Sequence, residues 1–159
     1  MTEYLQPIYT DIRAWLLSMF PTAPVVQGYQ NAVPIPIDAI MMTFMLERRL
    51  DQLTVKYSDN HEEAAIQQSV QGTMQLDFFG EDAHARSTEF AAMWQTVFTA
   101  DQLTACQPLY CSHPKNMTFV NEQGFYEPRY MVELELQYNV SYEKSINGAT
   151  SLNSSIVST

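Results

Sequence analysis

The alternation of apolar and polar residues between positions 73 and 80 predicts a β-strand that leads directly into a helix. Every second residue of the strand is apolar, so that one face would be buried: Met74, Leu76 and Phe78. Gly80 permits a sharp turn after the strand. Residues 81–98 then repeat apolar or small side chains at the 3.6-residue period of a helix: Ala83, Ser87, Phe90, Ala91, Trp94, Val97 and Phe98. We expect this strand–helix unit to be the centre of the fold.

The first and last patterned segments of the chain are also periodic. Residues 2–20 carry apolar side chains at spacings of three and four, which predicts an amphipathic helix. Pro7 falls inside this segment, and it either marks the first turn of the helix or introduces a kink. Residues 132–142 alternate between apolar and polar positions, with Glu133 and Glu135 on the polar side. One buried face and one wet face are typical of a long antiparallel strand.

The segments between these elements predict further strands. Residues 39–48 are too apolar to alternate, and their length and flanking prolines favour a buried strand over the competing helix. Gly72 precedes the central strand segment, at a position suited to a bulge or to the close approach of another group. From Ala64 the chain alternates into the central strand. Short strands are expected at residues 25–27 and 54–57, weaker strand patterns lie at residues 107–111 and 117–120, and a turn is expected at residues 121–124.

Composition indicates a globular protein with an acidic surface. The chain has 159 residues, 46% of them hydrophobic, and a net charge of −10. We expect one domain over residues 1–143, because such a content of apolar residues can form a packed core. The eight lysines and arginines are scattered, and only Arg48 and Arg49 are adjacent. This argues against affinity for nucleic acid, which needs clustered cations, although an acidic wall that repels nucleic acid fits the composition.

The cysteine content and the hydropathy pattern predict a protein made and kept in a cytosol. Cys106 and Cys111 are too few for a disulfide framework and are interpreted as thiols, with one bridge as the alternative. No apolar run approaches the roughly 20 residues that span a bilayer, and the first ten residues lack a signal-peptide pattern. No membrane partner is expected.

Residues 144–159 predict a flexible C-terminal tail. After Lys144 the segment has no ionisable side chain and is rich in serine, asparagine and threonine. It is interpreted as a frayed terminus or as a segment that becomes ordered on a neighbouring subunit. In the second case its apolar anchors would be Ile146, Leu152 and Ile156.

No motif for a metal, a nucleotide or a nucleophile stands out. Cys106, Cys111 and His113 form a C-x4-C-x-H cluster, but it lacks a second ligand pair and we interpret the cysteines as structural. The fingerprints of dinucleotide sites, phosphate-binding loops, zinc proteases and serine hydrolases are all missing from the sequence. The sequence therefore predicts no cofactor and no metal.

Asp77 is the best-placed candidate for a catalytic carboxylate, because it precedes the C-terminal end of the central strand. Its partner in a small α/β enzyme would be His84, with Cys111 as a third candidate. The simpler interpretation is that Asp77 is solvated or pairs with a cation from a neighbouring element. Glu133 and Glu135 likewise are either paired carboxylates or the wet side of an amphipathic strand, and we favour the second.

Three stretches taken together resemble a known family. They are a Q-x-x-Q-N segment before Pro34 and Pro36, the V-Q-x-x-x-Q-L-D-F-F-G strand of residues 70–80 before Asp82-Ala83, and R-Y-M-V-E-L-E-L-Q-Y at residues 129–138. With the opening amphipathic helix, their order resembles the tail terminator or neck terminator proteins of tailed bacteriophages. The resemblance covers roughly residues 4–142.

The resemblance implies an α+β (α/β) fold, with two main helices packed on a mixed, mostly antiparallel sheet. It implies a structural virion protein and not an enzyme: a ring, typically a hexamer, that caps the head-proximal end of the tail tube in the neck. Its partners would be other copies of the chain, the tail tube protein and a head-completion protein, with genomic DNA passing through the lumen without specific binding. Assembly would take place in the host cytoplasm.

Two alternatives to this function remain open. One is a head-completion or tail-tube subunit, and the other is the small enzyme that uses Asp77 and His84. For the ring, the candidate subunit contacts are the adjacent cations, a methionine before them, two strand carboxylates and the tail anchors: Arg48, Arg49, Met45, Glu133, Glu135, Ile146, Leu152 and Ile156.

Overall fold

A mixed sheet covered by helices on one face forms the body of the protein. The computed structural model describes residues 4–30, 34–50 and 52–146. The helices are α1 Leu5–Met19, α2 Ala83–Trp94 and α3 Val97–Gln102. The strands are β1 Val25–Gln27, β2 Ile40–Arg49, β3 Thr54–Tyr57, β4 Glu63–Phe79, β5 Gln107–Cys111, β6 Lys115–Asn116, β7 Phe119–Val120, β8 Tyr126–Glu127 and β9 Arg129–Ser145.

The sheet is mostly antiparallel, as the fold-class prediction states. Seven strands form it in the order β1-β2-β4-β9-β5, with β3 beside β4 and β6 beside β9. Only the β1–β2 pair is parallel among these described strands. Strands β7 and β8 form a separate hairpin. The α+β architecture predicted from the chain is therefore confirmed.

The paired strands β4 and β9 form the axis of the sheet. Each has 17 residues, and they pair without interruption from Glu63 opposite Ser145 to Phe79 opposite Arg129. At roughly 3.3 Å per residue, each strand is about 55 Å long. The predicted alternation is confirmed, since these side chains are fully buried on the helix side: Met74, Leu76, Phe78, Val132, Leu134 and Leu136.

Helix α1 packs on the sheet through the stripe that the sequence predicted. Ile8, Ile12 and Leu16 are at most 1% exposed. Pro7 is the third residue of the helix, where its backbone nitrogen has no intrahelical acceptor to reach. Of the two interpretations of Pro7, the first-turn proline is correct.

The predicted helix over residues 81–98 is wrong at its C-terminal end. It divides into α2 and α3, and Thr96 between them has extended backbone angles (φ −86°, ψ 160°). The hydroxyls of Thr96 and Thr99 both donate to the Met93 carbonyl oxygen, at 2.7 and 2.6 Å, and so satisfy an acceptor at the end of α2. Val97 and Phe98 consequently leave the buried stripe and are 64% and 63% exposed.

Strand β2 contains a bulge at Met45 that the pattern did not predict. Phe44 lies opposite Met74, but Leu46 lies opposite Thr73, so that Met45 has no partner residue on β4. The Phe44 backbone N–H donates to the Tyr9 hydroxyl oxygen at 2.9 Å.

Gly72 is the close-approach point that its position predicted. A Cβ atom at this residue would lie against the Phe44 ring and 3.0 Å from Tyr138 Cε1.

Of three smaller predictions, two turns are confirmed and one strand is confirmed only in part. Of the strand expected at residues 117–120, only residues 119–120 form one, β7, which pairs with β8; β6 precedes the predicted range and pairs with β9. The turn at residues 121–124 closes the β7–β8 hairpin, with Gly124 at φ +83°. Gly80 forms the sharp turn after β4 at φ +96°.

Beyond the helices the sheet continues as a three-stranded extension made of β3 and residues 63–69 and 139–145 of β4 and β9. All four residues of β3 and residues 141–145 of β9 are exposed. Among the described residues, no strand pairs with the outer edge of β9 after Gln137. The extension therefore has an open edge and exposed outer strands, although Ala64, Gln68 and Val140 within it are buried. Ile146, the last described residue, donates its N–H to the Glu62 carbonyl oxygen at 2.8 Å.

Candidate functional site

Asp77 lies in a buried ion pair on the helix-free face of the sheet. Its side chain is fully buried, and Arg129 donates to Oδ1 from Nη2 at 2.8 Å and from Nε at 2.9 Å. Gln75 Nε2 donates to the other carboxylate oxygen at 2.7 Å. The Arg129 guanidinium also lies 5.6 Å from the centre of the Phe79 ring. Of the two simple interpretations, pairing with a cation is correct and solvation is wrong.

The structure does not assemble Asp77, His84 and Cys111 into a catalytic group. His84 is exposed on α2, and its ring packs against Tyr130 with a centroid separation of 4.9 Å. Cys111 lies opposite Leu134, whose side chain points to the helix side, whereas Asp77 lies on the other face. The Asp77 carboxylate is occupied by Arg129 and Gln75, so it is not available as a general base.

Cys106 and Cys111 are buried free thiols, as interpreted from the sequence. Burial raises the pKa of each thiol to about 12, and the nearby Asp11 carboxylate adds to the effect at Cys106. His113 of the C-x4-C-x-H cluster is exposed. In the part of the chain that the structure describes, no three histidine, cysteine or acidic residues are grouped as metal ligands.

Because the two thiols are buried and protonated, we expect iodoacetamide at pH 8 to leave both cysteines unmodified in the folded protein and to modify both in urea. Mass spectrometry of the intact chain measures this directly. The free energy of unfolding should also fall between about pH 9 and pH 12, since the unfolded thiols ionise from pKa 9.0 while the folded ones stay protonated. The variant C106A/C111A should lack this part of the decline. Rapid alkylation of the folded wild type would contradict the burial of the thiols.

The predicted carboxylates Glu133 and Glu135 lie together on the helix-free face, where both residues are half-buried. Lys115 Nζ lies 3.7 Å from Glu133 Oε2. Glu135 accepts from Gln71 Nε2 at 2.9 Å, and Gln71 in turn accepts from Arg48 Nη2 at 2.9 Å. A chain of hydrogen bonds thus crosses β2, β4 and β9 and fixes this polar surface.

Arg48 and Arg49 lie on an open edge of the sheet. Among the strands that the structure describes, only β1 pairs with the outer side of β2, and it does so from Ile40 to Met42. Because consecutive strand residues alternate, the two arginines point to opposite faces, and both are exposed. Met45 at the bulge is 51% exposed. Of the tail anchors, Ile146 directly follows β9, while Leu152 and Ile156 lie outside the described residues.

Glu47 is a residue that the sequence pattern did not single out. The bulge at Met45 shifts the alternation of β2 by one residue, so that Glu47 points to the helix side. There its carboxylate accepts from the Tyr138 hydroxyl at 2.7 Å and from the Tyr4 hydroxyl at 3.0 Å. Burial and this hydrogen bond raise the pKa of Tyr138. Glu47 ties α1, β2 and β9 together where the extension begins.

Comparison with known proteins identifies the family. None of the described helices is long and apolar enough to cross a membrane. No curated protein matches the chain. A family model described as phage neck terminator protein matches residues 6–158, and so includes all three stretches on which the resemblance depends: the Q-x-x-Q-N segment at residues 27–31, residues 70–80 and residues 129–138. The chain belongs to the phage neck terminator protein family, which is a family of structural proteins.

Proposed function

We propose that the protein forms a ring, with six copies as the expected number, that caps the head-proximal end of the phage tail tube. The ring stops growth of the tube and joins it to head-completion proteins. The observation that carries this proposal is the family match over residues 6–158. The bound partners are the tail tube protein on one side and a connector protein on the other, and assembly takes place in the host cytoplasm.

Three features of the chain support a structural role. Its most buried acidic residue, Asp77, is neutralised by Arg129 and is not available for catalysis. Strand β2 and the outer part of β9 have open edges within the described residues, and such edges are pairing surfaces for other chains. The net charge of −10 would give the lumen a repulsive wall along which DNA can slide without binding.

Electron microscopy of phage assembled without this protein tests the proposal. We expect tails of irregular length that are not attached to heads, and purified protein added to the lysate should restore attachment. Antibody-coupled gold should label the junction of head and tail in intact virions. Label along the whole tail would instead indicate a tube subunit, and label on free heads would indicate a head-completion protein. Normal virions in the absence of the protein would contradict the proposal.

Native mass spectrometry over a concentration series tests the ring itself. A closed hexamer, or a monomer that converts to a hexamer without intermediates, is the expected result. Because the tail tube can act as a template, the measurement should be repeated with tail tubes present. A protein that stays monomeric under both conditions would contradict the ring.

A further inference from the structure

A cleft of about 570 Å³ opens where β4 ends and β9 begins. We call it the acidic cleft; residues 35–38, 79–82, Phe119, Glu127 and Pro128 line it. Its walls are largely apolar, with Ile37 87% exposed and Ile35 50% exposed. Isoleucines so exposed at the mouth of a cleft are typical of a surface that another chain covers.

The rim of the cleft carries an excess of negative charge. Four carboxylates belong to its lining residues: Asp38, Glu81, Asp82 and Glu127. Of these, only Asp82 takes part in an ion pair within the described residues, with Arg86 at 3.8 Å. The Glu127 carboxylate accepts a hydrogen bond from the uncharged Asn121 amide, Nδ2, at 2.8 Å. The cleft therefore fits an apolar segment that carries adjacent cations.

The chain itself has one such segment on its surface. We call it the basic ledge: Met45, Leu46, Arg48, Arg49 and Leu50. Leu46 is 61% exposed and Leu50 37% exposed. Arg48 bonds only to the neutral Gln71 amide, and neither arginine forms an ion pair among the described residues. In a chain of net charge −10, these are the only adjacent cations.

The acidic cleft and the basic ledge are too far apart to meet within one copy. Arg48 lies opposite Gln71 on β4, and the cleft begins at Phe79. Eight residues of strand separate these positions by about 26 Å. Two different complementary surfaces at separate places on one subunit produce a head-to-tail contact, and such contacts form a ring when the rotation between neighbouring subunits closes and an open filament when it does not.

We propose that the acidic cleft of one subunit receives the basic ledge of the next. Leu46 and Leu50 cover the exposed isoleucines. Arg48 and Arg49, which point to opposite faces of β2, neutralise carboxylates on two sides of the rim, where Asp38, Glu81 and Glu127 form no ion pair within the described residues. This contact rests on the proposed ring and specifies how its subunits join. It also predicts that assembly weakens as the salt concentration rises, because its charges are screened.

A charge-swap experiment tests the contact, with native mass spectrometry and sedimentation as measurements. The ledge variant R48E/R49E and the cleft variant E81K/E127K should each raise the concentration needed for half-assembly about tenfold or more. The variant that carries all four substitutions should assemble close to the wild-type concentration, because attraction is restored with the signs reversed. The control E89K/D101K has the same charge change as the cleft variant on exposed helical positions, and it should assemble normally. Melting curves of each variant establish that the subunit remains folded.

Each of the following outcomes would rule out the proposed contact between the acidic cleft and the basic ledge. Normal assembly of either single-surface variant would mean that other surfaces join the subunits, and it would leave the proposed ring intact. Loss of assembly that the four-substitution variant does not restore would show that the arginines and the carboxylates do not face each other. A wild-type protein that is monomeric at every concentration would exclude this contact between free subunits, while the virion experiment would still decide the tube-capping function.

Discussion

Replacement of Trp94 with alanine is expected to lower the free energy of unfolding by about 3 to 5 kcal/mol. The Trp94 side chain is fully buried between α2 and the sheet. Its ring stacks on Phe90 with a centroid separation of 5.6 Å, and Nε1 donates to the Glu135 carbonyl oxygen at 3.4 Å. Alanine would leave a cavity and would remove the hydrogen bond to the Glu135 carbonyl oxygen. Urea denaturation followed by tryptophan fluorescence and circular dichroism measures the change.

Phe98 provides the matched control for Trp94. The helical period places both residues on one stripe, but the break at Thr96 leaves Phe98 63% exposed. F98A should therefore change the free energy of unfolding by about 0.5 kcal/mol or less. Both variants must be compared at the same protein concentration, because subunit assembly would add to the apparent stability. An unchanged midpoint for W94A, or a large loss for F98A, would contradict this assignment of the core.

Period-two and 3.6-residue patterns predicted the sheet and α1 because burial on one face determines them. Met74, Leu76 and Phe78 alternate with polar residues, and all three are buried as expected. The end of α2 was not predictable in this way, because apolar residues continue in register beyond it. Local hydrogen bonds from Thr96 and Thr99 to Met93 end the helix, and the hydrophobic pattern carries no signal for them.

The candidate surfaces were predictable only in part. The adjacency of Arg48 and Arg49 is visible in the sequence. The bulge at Met45, which reverses the face of the sheet to which each later residue of β2 points, is not. Residues 45–49 are all exposed, so no alternation marks the shift at Met45. The acidic cleft combines residues 35–38, 79–82, Phe119, Glu127 and Pro128, which come together only through the topology of the sheet. Separate loops of this kind leave no periodic signal.

The ion pair between Asp77 and Arg129 should stabilise the fold, and the two single variants should differ in a defined order. R129M leaves the fully buried Asp77 carboxylate without its cation and should lower the free energy of unfolding by about 3 to 5 kcal/mol. D77L should lower it less, by about 3 kcal/mol or under, because the Arg129 side chain is 29% exposed and can regain water. Urea denaturation of both variants measures this order.

The double variant D77L/R129M separates the contribution of the pair from the penalty of an unpaired charge. Its loss should be smaller than that of R129M alone, because apolar groups of similar volume can replace a buried pair at little net change. A strictly additive cycle would contradict direct coupling of the two side chains.

The variant D77N tests the enzymatic alternative. It keeps the shape of the side chain and should destabilise the fold, whereas if Asp77 were catalytic, the variant would lose activity with its stability unchanged. Since Arg129 and Gln75 already occupy both oxygens of Asp77, the loss of stability is the result that the geometry supports.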